Sequence, residues 1–204
     1  MILRNLMFGL AFGAAGYSIY AALKAPVVDT ADGQATDWTA ATDGFLKVAY
    51  NFTGGLGMQI SLSGLNFIKQ QEGFKSSVYT DSAGLATIGY GHKLTAFENY
   101  TTISDADASL LLAQDVADAE NGVNNLVNVA LSQNQFDALV SFVYNVGVGA
   151  FKRSTMRKLI NAGNYQGAIG QFGLWSKATI NGQKITIAGI YSRRQREAQL
   201  FASA

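Results

Sequence analysis

Between residues 72 and 92 the chain reads EGFKSSVYTDSAGLATIGYGH, and three of its side chains have types and spacing suited to acid–base chemistry. Glu72 follows an apolar run containing Leu65, Phe67 and Ile68; Asp81 comes nine residues later and Thr87 six after that. A carboxyl at the end of an apolar helix, with Gly73 behind it to stop the helix, is expected to be desolvated, and burial raises a carboxyl's pKa. Asp81 lies instead in Thr-Asp-Ser-Ala-Gly, whose short polar residues favour a wet bend between strands and an ionised carboxylate. A carboxyl that keeps its proton, facing one that does not, is the pairing that glycoside hydrolysis uses.

Positioning these groups requires a helix, a small sheet and a helical body. The pattern predicts a helix over about 63–72, then strands near 77–79 and 86–90 where β-branched and aromatic residues alternate around Gly-containing turns. Ser104-Asp-Ala-Asp107 reads as a helix start like a capping box, with Asp in place of Glu, and one helical period runs on from there toward Leu126. Ser132 begins another helix with a stripe of Phe136, Leu139, Val140, Val143 and Tyr144. The near-continuous apolar character of residues 138–148 marks this as the most buried helix. Shorter helices are expected over 155–161, 165–172 and 191–201.

Glu72, Asp81, Thr87 and the run Ile88 to His92 resemble the motif of the phage-type lysozymes. FVYNVGVGAFKRSTMRKLINAGN over 142–164, Trp175, and GIYSRRQREAQLF over 189–201 are also similar to that family. The resemblance covers residues 61–204 and departs from the family at residues 1–60 and in the longer, β-branched segment 179–188. It implies an α+β, lysozyme-like fold with a small β-sheet lobe and a larger helical lobe. It further implies a muramidase that cuts the β-1,4 bond between N-acetylmuramic acid and N-acetylglucosamine in bacterial peptidoglycan. In that reading Glu72 is the acid, Asp81 stabilises positive charge and helps activate water, and Thr87 positions the water, which attacks with inversion. Tyr90, Asn145 and Trp175 are candidate substrate-binding residues, although core packing suits Tyr90 and Trp175 equally and Asn145 sits where a helix C-terminal Asn is common. His92 is expected to be structural, bridging to a carboxylate of the helical lobe.

Composition narrows the alternatives. The chain has 204 residues, no Cys and one His, so disulfides, thiol chemistry and a His/Cys metal cluster are not expected, and neither metal nor cofactor is assigned. Net charge is +1, but residues 61–120 hold three basic and eight acidic side chains, whereas residues 121–204 hold nine basic and two acidic. That second half, with Lys152, Arg153, Arg157, Lys158, Arg193, Arg194 and Arg196, suits a polyanion or a solvated helix face. Nucleic acid is not expected, because the basic residues are not interleaved with aromatic residues for base stacking.

Ahead of the domain, residues 1–24 carry an uncharged run of 19 residues, 5–23, diluted by Gly9, Gly13, Gly16 and several alanines. At about 1.5 Å of rise per residue it is barely long enough to cross the ~30 Å hydrocarbon layer. It reads as an N-terminal hydrophobic helix retained in a membrane, with a cleaved signal or a soluble packing helix as alternatives. Residues 25–60 read as a linker or docking segment, and 61–204 as the catalytic domain. The expected setting is a phage endolysin at the host inner membrane, facing the periplasm or wall. A virion-associated lysozyme docked on virion proteins and a non-catalytic wall-binding structural protein are the alternatives.

Overall fold

In the computed structural model, which describes residues 57–180 and 182–203, Ser61 opens the first helix by accepting the Gly64 N–H at 3.0 Å. This helix, α1 (Leu62–Glu72), buries Leu65 and Ile68 and ends at Gly73, whose φ of +72 suits glycine. Two residues later begins β1 (Lys75–Thr80), which pairs antiparallel with β2 (Ala86–Gly89). β2 in turn pairs with β3 (His92–Lys93), giving a sheet of order β1-β2-β3.

The rest is helical up to one hairpin. The single helix expected from 104 to 126 is two, α2 (Asp105–Asp115) and α3 (Ala117–Leu126). Buried Val116 (φ −80, ψ −10) is the joint, still donating its N–H to Leu112 O. Ser104 caps α2 by accepting the Asp107 N–H, while the Asp107 carboxylate accepts the Ser104 hydroxyl at 2.8 Å. The shorter Asp thus takes the hydroxyl, where the Glu of a capping box would reach the backbone. α4 (Gln133–Val146) starts with a full capping box between Ser132 and Gln135, and every residue from 135 to 143 is buried. α2 packs on β2 at Gly89, which has a φ of +66 and where a Cβ would stand 3.0 Å from that of Ala108.

Short helices follow: α5 (Val148–Arg153), α6 (Thr155–Asn161) and α7 (Tyr165–Phe172), then a 3-10 turn over Gly173–Ser176. The segment with excess β-branched residues folds as an antiparallel hairpin, β4 (Lys177–Ile180) and β5 (Gln183–Thr186), with Gly182 in its turn at φ +77. α8 (Ala188–Ala202) closes the fold and begins three residues before the expected start at 191. Its Phe201 stacks on Phe172 of α7 at 5.8 Å, and Phe172 meets Phe142 of α4 at 5.4 Å, so an aromatic core joins the last helices to the central one.

This small sheet on a larger helical body is the α+β lysozyme-like arrangement. Packing begins ahead of the expected boundary at 61. Met58 N–H donates to Asn124, Ile60 N–H to Glu120, and both the backbone and hydroxyl of Ser61 donate to buried Asp137. The N-terminal hydrophobic helix expected in residues 1–24, and nearly all of the linker or docking segment 25–60, lie outside the described residues. Among the described residues no helix is long and apolar enough to cross a membrane.

Candidate active site

The β1–β2 turn builds one half of the site around the backbone of Leu85. Asp81 N–H donates to Leu85 O at 2.9 Å, and Thr87 Oγ1 donates to the same carbonyl at 3.1 Å. Leu85 N–H returns a bond to Asp81 Oδ1 at 2.9 Å, and Ala83 N–H adds another at 2.8 Å. One residue, Leu85, thus fixes the Asp81 carboxylate through its N–H and the Thr87 hydroxyl through its carbonyl. The Leu85 N–H foremost, then the Ala83 N–H and the Lys93 ammonium at 3.9 Å, hold the Asp81 carboxyl below its ordinary pKa, so it is ionised as the bend implied. Thr87 is buried; its hydroxyl hydrogen goes to Leu85 O, which leaves its lone pairs free to accept from a water.

Glu72, at the C-terminal end of α1, sits in a different environment from the one its sequence suggests. Its side chain keeps 24% of its surface in solvent, and Oε1 accepts from Arg193 Nη1 at 2.6 Å. The apolar enclosure expected for this carboxyl is therefore replaced by an ion pair. Arg193 is itself held by buried Glu197, with Nε to Oε1 at 3.1 Å, and Glu197 also accepts the Ser141 hydroxyl at 2.9 Å. Arg194, wholly buried, donates to Glu197 and to Asn145 Oδ1, and its guanidinium stacks on Phe142 at 4.9 Å. Burial foremost lowers the Arg194 pKa, and the Glu197 carboxylate opposes that shift.

Two side chains of the basic cluster are thus not surface charges. Arg193 and Arg194 are buried and spent on Glu72, Glu197 and Asn145, and this corrects the expectation that they contribute to an exposed basic field. The signal for this was in the sequence, since Glu197 stands four residues after Arg193 and three after Arg194.

The three candidate substrate-binding residues lie in different surroundings. Asn145, near the end of α4, is exposed and bonded to Arg194. Trp175 is half-buried and packs edge-on against Phe142, 5.4 Å away. Tyr90 is buried at the end of β2, donates to Asp105, and lies under Lys69 and beside Phe74. Burial and then Asp105 raise its pKa, so the hydroxyl stays a donor. His92 is a clamp: Nδ1 meets Asp115 at 2.9 Å and Nε2 meets Glu98 at 3.1 Å. The Asp115 hydrogen bond foremost raises the imidazole pKa. Among the described residues no group of His, Asp and Glu could hold a metal ion.

With this geometry in view, a sequence model of the family described as Phage lysozyme matches residues 69–197. The chain is 41% identical over 147 residues to the endolysin of Acyrthosiphon pisum secondary endosymbiont phage 1, an alignment covering 72% of this chain and 100% of the relative. It is 35% identical over 123 residues to the SAR-endolysin of Escherichia phage Mu, covering 60% and 69% of the two chains. Among solved structures, the muramidase domain of SpmX from Asticaccaulis excentricus superposes with a TM-score of 0.66 at 38% identity, covering 70% of this chain and 97% of that one.

Proposed function

The chain belongs to the phage lysozyme family of peptidoglycan hydrolases, and we propose that it hydrolyses the β-1,4 bond between N-acetylmuramic acid and N-acetylglucosamine during host lysis. The observation that carries this reading is the division of labour between the two carboxyls. Asp81 is ionised and fixed by the Leu85 and Ala83 N–H groups, whereas Glu72 stands on a different element with one oxygen engaged. Arg193 holds Oε1, so Oε2 is the atom that carries the proton to the leaving glycosidic oxygen. As the bond breaks, positive charge develops on the sugar, and the Asp81 carboxylate stabilises it. A water that donates one hydrogen bond to Thr87 Oγ1 attacks from the opposite face as the Asp81 carboxylate takes its other proton, giving the inverted anomer. Asn145 and Trp175 are the proposed glycan contacts. Tyr90 is proposed to act indirectly, by tying the end of β2 to Asp105 rather than by touching sugar.

Residues 5–23 are proposed to hold the enzyme at the host inner membrane, with the catalytic domain on the wall side and later release. The marginal length and glycine content of that run support this, as does the likeness to a protein named a SAR-endolysin. Digesting purified peptidoglycan and reducing the new ends with borohydride tests the bond: muramitol ends are expected, and glucosaminitol ends would assign the other linkage. NMR of the first-formed anomer tests the stereochemistry. An α product is expected, and a β product would replace inversion by retention.

A further inference from the structure

From residue 138 to residue 196 the chain contains no Asp or Glu. The two acids that flank this stretch are hidden, with Asp137 1% and Glu197 0% exposed. Asp137 is consumed by Ser61 and Gln133, and Glu197 by Arg193, Arg194 and Ser141. No carboxylate from this part of the chain therefore reaches the surface to offset its cations. Four of those cations stand on the consecutive helices α5 and α6: Lys152, Arg153 and Lys158 are exposed and Arg157 is half-buried. None of the four makes an ion pair among the described residues.

The chemistry of the neighbouring side chains selects the partner. A lipid-docking element presents apolar side chains together with its cations, so that part of it enters the acyl boundary. No large apolar side chain of α5 or α6 is exposed; such residues lie on the sheet lobe, at Leu62 of α1, at Leu174, on the β4–β5 hairpin and at the start of α8. Exposed cations on helices that expose no large apolar side chain suit a hydrated polyanion, whose local concentration such charges raise. We propose that α5 and α6 form a docking face for a hydrated anionic polymer of the cell wall, one bearing repeated carboxylate or phosphate groups. Its role is to capture the wall. This inference rests on the muramidase reading above and adds to it a second contact with the wall.

The test compares the full chain with its Lys152→Gln/Arg153→Gln/Lys158→Gln variant on three probes: purified bacterial walls, soluble glycan fragments, and phosphatidylglycerol vesicles. Wall lysis by the variant should be slower by about tenfold at low salt. The two proteins should converge at about 1 M salt, where the screening length falls to about 3 Å. Fragment turnover and vesicle binding should be the same for both. Equal wall lysis and equal salt dependence would overturn the proposal. So would a variant that loses vesicle binding while wall capture is kept, because that result gives the face to lipid. A wild-type chain that cleaves neither walls nor fragments would instead defeat the muramidase reading, and the two failures are thereby distinguished.

Discussion

Arg193 is the residue through which Glu72 is tied to the interior of the helical body. It spans Glu72, Glu197 and the Ser141 carbonyl, so it is at once a partner of the proposed acid and part of a buried charge network. Replacing Arg193 with Gln removes a hydrogen-bonded positive charge and leaves Glu197, which has no exposure, against Arg194 and Ser141 alone. Breaking such a buried pair costs about 3 kcal/mol. Urea unfolding of Arg193→Gln should show a loss of that order, together with reduced wall lysis because Oε1 of Glu72 is no longer held. A variant as stable as the parent would remove the network from the account of stability. Asp81 was legible at this scale from its own neighbours, since Ser-Ala-Gly places N–H groups where a short acid can accept them. Glu72 was not, because its partner lies 121 residues away and no local pattern announces it.

At the scale of elements, caps and turns were read well and long-range joints were not. Ser154 and Asn164 cap α6 and α7, each accepting an N–H three residues on, and both helices occupy their expected spans. The break at Val116 escaped because the apolar period continues across it while only the backbone turns. The β4–β5 hairpin escaped because all but one of its strand residues are exposed, which removes the one-sided burial that makes a strand readable, although Asn-Gly is a strong hairpin signal. His92 is the joint that shows pH dependence. It links β3 to α2 through Asp115 and to the following loop through Glu98. Its pKa is raised in the fold, so its contribution is fully present below the unfolded value of about 6.5 and is lost as pH rises through the folded value. The melting temperature of the parent should therefore fall relative to His92→Gln as pH is raised from about 6 through 8. Parallel pH curves for the two proteins would show that the clamp is not charge-dependent. Asp81 has the opposite sign: its depressed pKa adds stability above about 3.9 that is lost on acidification.

At the scale of the whole molecule, two contacts with the outside world are proposed for different segments, the membrane for residues 5–23 and the wall for the lysozyme-like domain. The lysozyme-like architecture was readable through one dense motif and the Ser-led helices, whereas the electrostatic surface was not. The sequence counts nine basic residues after residue 120, yet folding hides Arg193 and Arg194, leaving a cationic face narrower than the count suggests. The proposed membrane hold depends on a helix only marginally apolar. Replacing Gly9, Gly13 and Gly16 with Leu should deepen its insertion, since Leu favours the hydrocarbon core. Fractionation after the membrane potential is collapsed should find parent protein released and the triple variant retained, with lysis delayed. Equal release of both would show that this run does not set the timing.

The central claim is that Glu72 supplies the proton that cleaves the glycan. Glu72→Gln keeps the shape of the side chain and an oxygen for Arg193, yet an amide cannot serve as the acid. The measurement is the rate of release of reducing ends from purified peptidoglycan by the parent and by Glu72→Gln, with unfolding curves to establish that both are folded. Loss of a general acid lowers rates by about 10²- to 10⁴-fold. A folded variant slower by at least about a hundredfold is the predicted result, and a folded variant within about threefold of the parent would contradict it.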